Sequence, residues 1–243
     1  MTQPTVSIIT PMYNVAKVLH RSFDSIIAQT QGNLEYVLVD DCSKDDTLQE
    51  IDRLRATVTR DDLSFVALHP DVNRGVAAAR NTGLDHASGK YIYFLDADDF
   101  IDPHAIKTMV DLAESQNADI VGCDWAQVFS HSEKIQTQPS VTSTDDAFCK
   151  LSNGVMRWNL WLFLIRRDLY DGMRLIEKAD MGEDMMLIQK MVLNANKIVQ
   201  THDVHYHYIV TNPNALTKSY MKRKSDMDTN QASLFAYVSK KRP

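Results

Sequence analysis

Four short apolar runs, at residues 6–10 (VSIIT), 36–39 (YVLV), 64–68 (SFVAL) and 91–95 (YIYFL), alternate with segments whose apolar residues recur at helical spacing. This alternation constrains the fold more than any other feature of the chain. The first run is stopped by Pro11, after which Leu19, Phe23, Ile26 and Ile27 mark a helix that ends at Gln31-Gly32-Asn33. The second ends in Asp40-Asp41 and precedes Leu48, Ile51 and Leu54 on one helical face. The third passes through Asn73-Arg74-Gly75 into an alanine-rich helix, and the fourth ends in Asp96-Ala97-Asp98-Asp99. Asp102 then caps a helix with Pro103 at its first position and Ile106, Met109, Val110 and Ala113 on its buried face. Such a chain is expected to be α/β: a mostly parallel twisted sheet with helices on both faces and a Rossmann-like nucleotide-binding half. Its ligands belong beyond the carboxyl ends of the strands.

One more strand is expected at 120–125, followed by a polar hairpin or loop at 127–143. Beyond it come a short helix near 144–151, an aromatic segment at 158–163, a helix starting near Gly182-Glu183-Asp184 and a strand-like run at 197–209. No repeat, low-complexity tract or Pro/Gly linker divides the chain, so residues 126–243 are expected to complete the cleft of residues 1–125 within one continuous domain. The 26 Lys and Arg against 32 Asp and Glu give a net charge of -6, which speaks against a nucleic-acid partner. Three scattered cysteines fit packing in a reducing compartment rather than a disulfide framework. With no apolar run of membrane-spanning length and no basic-then-apolar start, the expected location is cytoplasmic. The end of the chain is basic, however: Lys218, Lys222, Arg223, Lys224, Lys240, Lys241 and Arg242 stand against Asp226 and Asp228. This is consistent with peripheral contact at the anionic inner face of a membrane.

Asp96-Ala97-Asp98 carries the strongest chemical signal. Two carboxylates one residue apart at a strand end can share a hard divalent cation and a polyphosphate. Asp40-Asp41, at the end of a neighbouring strand, would face the same crevice. An isolated Asp-x-Asp also serves as a helix cap or a solvated turn, so the motif gains weight from this second acidic strand end.

Five ordered blocks together resemble the inverting glycosyltransferases of family 2, which have the GT-A fold. They are VSIITPMYN from Val6, SIIAQT from Ser25, VDDCSKD from Val39, NRGVAAARN from Asn73 and FLDADD from Phe94. In the second half the resemblance rests on RRDLY from Arg166, Gly182-Glu183-Asp184 and the surroundings of Tyr206-His207-Tyr208. It implies transfer of a sugar from a nucleotide-sugar donor, UDP-linked, to the hydroxyl of a saccharide or lipid-linked saccharide acceptor with inversion, in cell-surface polysaccharide or glycan synthesis.

The resemblance also implies roles. Pro11, Tyr13 and Asn14 line the uracil pocket, Asp41 accepts from a uracil N–H, and Arg80 meets the base or the phosphates. Asp96 reaches the ribose, and Asp98 ligates Mg²⁺ or Mn²⁺; Asp99 is expected as a helix cap. Asp184 is the general base, at a helix start where Gly182 permits close approach. His207 is a candidate metal or diphosphate contact, and Trp158, Trp161 and Glu183 are candidate acceptor contacts. One departure stands out: Phe163 occupies a position where related sequences usually carry lysine. A catalytically inactive sugar-nucleotide-binding module is the main alternative. An aspartate-based phosphotransferase fits less well, since its nucleophile follows the first strand and Phe100 replaces the usual threonine or valine. A sugar-1-phosphate nucleotidyltransferase would require a glycine-rich loop after the first strand, which residues 11–14 lack.

Overall fold

A computed structural model describes residues 3–210 and 224–241. Its centre is one nine-stranded sheet in the order β3-β2-β1-β4-β8-β6-β9-β5, with β7 paired to β6 at the side. The strands are β1 (Val6–Met12), β2 (Leu34–Asp40), β3 (Leu63–Leu68), β4 (Tyr91–Phe94), β5 (Phe100–Ile101), β6 (Ile120–Val128), β7 (Glu133–Gln136), β8 (Phe163–Arg166) and β9 (Ile198–Ile209). The helices are α1 (Leu19–Ile27), α2 (Thr47–Arg55), α3 (Val76–His86), α4 (Ala105–Gln116), α5 (Thr144–Ser152), α6 (Glu183–Asn194) and α7 (Lys224–Lys241).

The expected parallel arrangement holds across β3, β2, β1 and β4. β8 then enters antiparallel between β4 and β6, while β6 and β9 run parallel. The sheet is therefore mixed beyond β4. Every residue of β2 and β4 is buried, which is why 36–39 and 91–94 read as continuous apolar runs rather than alternating ones. Ile8 and Ile9 of β1 are fully buried, each contributing about 1.5–3 kcal/mol of apolar transfer. Ala77, Ala78 and Ala79 let α3 lie close against β1 and β2.

Several boundaries differ from the sequence expectation. Pro11 does not stop β1, which continues to Met12 and pairs with Val39 and Asp40 of β2. Ile9 O accepts from Leu95 N on the β4 side, so Pro11, two residues on, turns its nitrogen to the same side. The β4 ladder ends at Ile9, and no N–H is needed from Pro11. In α2, Leu48 is 38% exposed, and Thr47 joins Ile51 and Leu54 on the buried face. α4 starts at Ala105 rather than at Pro103. Asp102 instead makes the preceding turn, its Oδ1 accepting from His104 N at 2.8 Å and its carbonyl from Ala105 N at 3.0 Å.

The polar stretch after β6 is a hairpin closed by β7, and α5 is capped by Ser143, whose hydroxyl accepts from Asp146 N. The division at 125/126 falls inside β6, so the two halves share a strand as well as a sheet. Of the basic tail, Lys218, Lys222, Arg223 and Arg242 lie outside the described residues. Lys224 pairs with Asp228 at 2.8 Å, and Lys241 donates to Asn194 Oδ1 at 3.0 Å. No described helix is long and apolar enough to cross a membrane.

Candidate active site

β1, β2 and β4 run in one direction, so their carboxyl ends bring Tyr13, Asp41 and Asp96 to the same rim of the sheet. Pro11 is half-buried there, and Tyr13 is 47% exposed. Asn14 adopts φ 55°, in the left-handed region that asparagine tolerates. Its Oδ1 accepts from Lys44 N at 2.7 Å, and its own N–H donates to Ser43 Oγ at 2.9 Å, binding the turn after β1 to the loop after β2.

Asp41 is buried and organises the start of α3. Its Oδ1 accepts from Arg74 N at 2.9 Å and its Oδ2 from Gly75 N at 2.7 Å. Asp180, from a distant loop, accepts from Ala77 N at 3.0 Å. Two carboxylates thus meet the amide end of one helix, where its dipole favours negative charge. Gly75 sits between them at φ 91°, and a Cβ there would collide with the Asp180 carboxylate.

Arg80 lies farther along α3 and is buried among acids. Its Nη1 donates to Asp184 Oδ1 at 2.7 Å and to Glu183 Oε1 at 2.9 Å, and its Nη2 to Asp96 Oδ1 at 3.2 Å. Phe94 supports the guanidinium from β4, its ring centre 5.8 Å from the Arg80 Cζ. The guanidinium therefore links three carboxylates of the chain itself. Burial alone would lower its pKa, but the charges of Asp184, Asp96 and Glu183 outweigh burial and raise it.

Glu183 and Asp184 open α6 after Gly182, which takes φ 80°. Asp184 Oδ2 accepts from Leu160 N at 3.1 Å, joining the aromatic segment to the acid pair. Burial raises the Asp184 pKa, while the Arg80 charge opposes the rise. Burial, with the Asp184 charge adding to it, pushes Glu183 up to about 7.

Asp96 and Asp98 are half-buried beyond β4. Asp99 is fully buried and is not a helix cap. Its Oδ2 accepts from the Tyr206 hydroxyl at 2.7 Å and its Oδ1 from Ile209 N at 2.7 Å, which ties the acidic turn to β9. Burial, then the charges of Asp98 and Asp96, raise its pKa well above the usual carboxylate range.

The remaining candidates are placed as follows. His207 stacks flat on Phe100, ring centres 4.4 Å apart at 5°, through the β5–β9 pairing. Trp161 is buried and stacks on Tyr206 at 4.0 Å with its edge relation to Trp125, so its indole is packing rather than a free sugar platform. Trp158 is half-buried at the edge of the core. Phe163 is fully buried in β8 opposite Gly122, which accounts for an apolar residue there. Sequence reasoning missed Asp180 and Tyr206 as organisers of the site. The spacing of Asp180 two residues before Gly182 was the only hint of the first.

Among the described residues, no group of three or more His, Cys, Asp or Glu converges as a cage for a metal ion. Mg²⁺ and Mn²⁺ at phosphate sites need no such cage, since one or two carboxylates and the substrate phosphates suffice. Asp96 and Asp98 fit that requirement. Both are half-buried oxygen donors at one strand end, the kind a hard divalent cation takes.

The uncharacterized glycosyltransferase EpsJ of Bacillus subtilis is 28% identical over 235 residues, covering 92% of this chain and 66% of EpsJ. A crystal structure of Staphylococcus aureus TarS 1–349 in complex with UDP-GlcNAc superposes with a TM-score of 0.79 at 23% identity, over 94% of this chain and 66% of that one. The mannosyltransferase PcManGT from Pyrobaculum calidifontis, solved in complex with GDP-Man and Mn²⁺, has a TM-score of 0.67 at 22% identity, over 99% of this chain and 65% of that one. These structures share the fold, and the chain spans no more than about two thirds of the length of these relatives. The family model for glycosyl transferase family 2 matches residues 7–195, from β1 through α6 with every acid bonded to Arg80, and the chain belongs to that family.

Proposed function

We propose that this protein transfers a sugar from a UDP-linked donor to an acceptor hydroxyl with inversion, in cell-surface polysaccharide or glycan synthesis. The observation that carries the reading is the link through Arg80, which joins Asp96 of the strand-end motif to Glu183 and Asp184 at the start of α6. The donor side and the acceptor side are thereby fixed relative to each other by a single planar group.

On the donor side, Pro11, Tyr13 and Asn14 line the pocket of the base, and Asp41 presents a carboxylate already aligned by two backbone amides. Asp96 meets the ribose, and Arg80 acts on the donor through Asp96. Asp98 would hold Mg²⁺ or Mn²⁺, which when bound neutralises the charge gathering on the departing diphosphate. Asp184 takes the proton of the attacking hydroxyl. Arg80 bonds its Oδ1 and opposes the effect of burial on it, and Leu160 N fixes its second oxygen. Glu183 and Trp158 border the acceptor; Trp161 serves the packing of β9.

Two further elements belong to the same reading. The acceptor is a saccharide, free or lipid-linked, and the protein works at the cytoplasmic side, in peripheral contact with membrane through its basic tail. Flotation with vesicles of anionic and of neutral lipid tests the contact. Binding that requires anionic lipid and weakens with salt is expected.

Calorimetric titration of UDP and GDP, each with Mn²⁺ and with EDTA, tests the donor assignment. UDP is expected to bind more tightly than GDP, and more tightly with Mn²⁺. Preference for GDP would replace the uracil assignment. A chain that binds UDP with Mn²⁺ yet turns over no nucleotide sugar would be an inactive binding module.

A further inference from the structure

We propose that Asn230 is a positioning residue for the Glu183–Asp184 pair, acting from α7 through the segment that leads into both acids. The inference rests on the assignment of Asp184 as base. α7 is otherwise a partly exposed helix, and Asn230 is its one buried residue among those described. The Asn230 carboxamide donates to Ala179 O at 2.8 Å and to Met181 O at 3.0 Å, and also reaches Asp226 O of its own helix at 3.2 Å.

Those two carbonyls flank Asp180, whose carboxylate holds Ala77 N at the start of α3. Glu177, just upstream, pairs with Arg74. The segment is therefore held on one side by α3 and on the other by α7. Gly182 follows directly, and a Cβ placed there would come within 2.5 Å of Met227 Sδ on α7. Glu183 and Asp184 are the next two residues, and both bond Arg80. Asn230 and Met227 thus back the chain at the point where it turns into the acid pair.

The rest of α7 is fixed alongside α6 by other contacts. Lys190 Nζ meets Ser233 Oγ at 2.9 Å, and Asn194 Nδ2 meets the Tyr237 hydroxyl at 2.5 Å. Removing the Asn230 side chain should therefore loosen residues 179–184 without undocking the helix. Only a group with two N–H donors can serve both carbonyls from one position. An aspartate in its place would have the same shape but only oxygens to offer, and a buried carbonyl left without a donor drives the segment elsewhere. Displacement of a proton acceptor by about 1 Å can cost about 10²-fold in rate.

The test uses the full chain carrying Asn230→Ala or Asn230→Asp, with Phe235→Ala as a control at an exposed position of the same helix. Two quantities are read: amide hydrogen exchange across residues 177–186, and UDP release from the best substrate in a panel of UDP-sugars. Both Asn230 variants should raise exchange at 177–186 at least about tenfold while β1 to β4 stay protected. They should lower kcat about 10- to 100-fold with KM within about twofold, and Phe235→Ala should do neither. Wild-type exchange at 177–186 together with wild-type kcat overturns the proposal, even if melting temperature falls. Asp184→Asn in the same assay separates the two claims. If it keeps its rate, the base assignment fails and the exchange result alone decides the role of Asn230. Should Asn230→Ala not fold, Asn230→Ser, which retains one donor, is read by the same criteria.

Discussion

Arg80 Nη1 lies 2.7 Å from Asp184 Oδ1 and 2.9 Å from Glu183 Oε1, so a single guanidinium nitrogen serves both acids at the start of α6. Its other terminal nitrogen serves Asp96, which follows β4. Three carboxylates from two distant parts of the chain therefore depend on one buried cation.

Arg80→Ala should destabilise the fold by about 3–5 kcal/mol, because it leaves buried carboxylates without their counter-charge. Arg80→Lys should recover only part of that loss, since an ammonium cannot reach both sides with a planar fork. Urea unfolding of the two variants beside the wild type measures both values. Equal stability of Arg80→Ala and wild type would remove the three-acid link from the account.

Tyr206→Phe should cost about 1–3 kcal/mol, because the Tyr206 hydroxyl bonds Asp99 Oδ2 inside the core and nothing replaces it. Thermal unfolding reads the loss. UDP affinity is expected to fall with it, as β9 loses one of its two bonds to the turn that carries Asp98 and keeps only the one from Ile209 N.

The pH dependence of stability offers an independent check. Glu183 is raised from 4.5 to about 7 in the folded protein, mainly by burial. A carboxyl with a raised folded pKa favours the folded state at low pH, and that contribution fades as pH rises past 4.5 and through about 7. Relative to Glu183→Gln, the wild type should therefore lose stability across this window on going from acid to neutral. A pH-independent difference between the two proteins would contradict the burial of an ionising Glu183.

Asp98→Ala should abolish the gain in UDP affinity that Mn²⁺ gives the wild type while leaving affinity in EDTA within about twofold, because Asp98 would be the residue that holds the cation. Titration calorimetry decides it. A variant that keeps the full metal dependence would move the ligand role to another acid.

The alternation of strands and helices through β4, the acids at the ends of β2 and β4, and the start of α6 at Gly182 were all legible, because each follows from local periodicity or turn chemistry. What was not legible depends on pairings remote in sequence. Whether Pro11 ends β1 turns on where β4 stops, and the role of Asp99 turns on Tyr206, 107 residues away. Arg80 reads as a contact to the base or the phosphates until Glu183 and Asp184, 103 and 104 residues later, are folded against it. Trp161 reads as a candidate acceptor contact until Tyr206 covers its face.

Asp184→Asn decides whether Asp184 accepts the proton of the attacking hydroxyl. Asparagine keeps the shape and can still accept from Leu160 N, but it cannot take up a proton at neutral pH. Transfer rate should be measured beside UDP affinity in the presence of Mn²⁺. A rate about 10²- to 10⁴-fold lower is expected, with nucleotide affinity near the wild-type value; a variant that binds UDP as before and transfers at close to the wild-type rate would rule Asp184 out as the base.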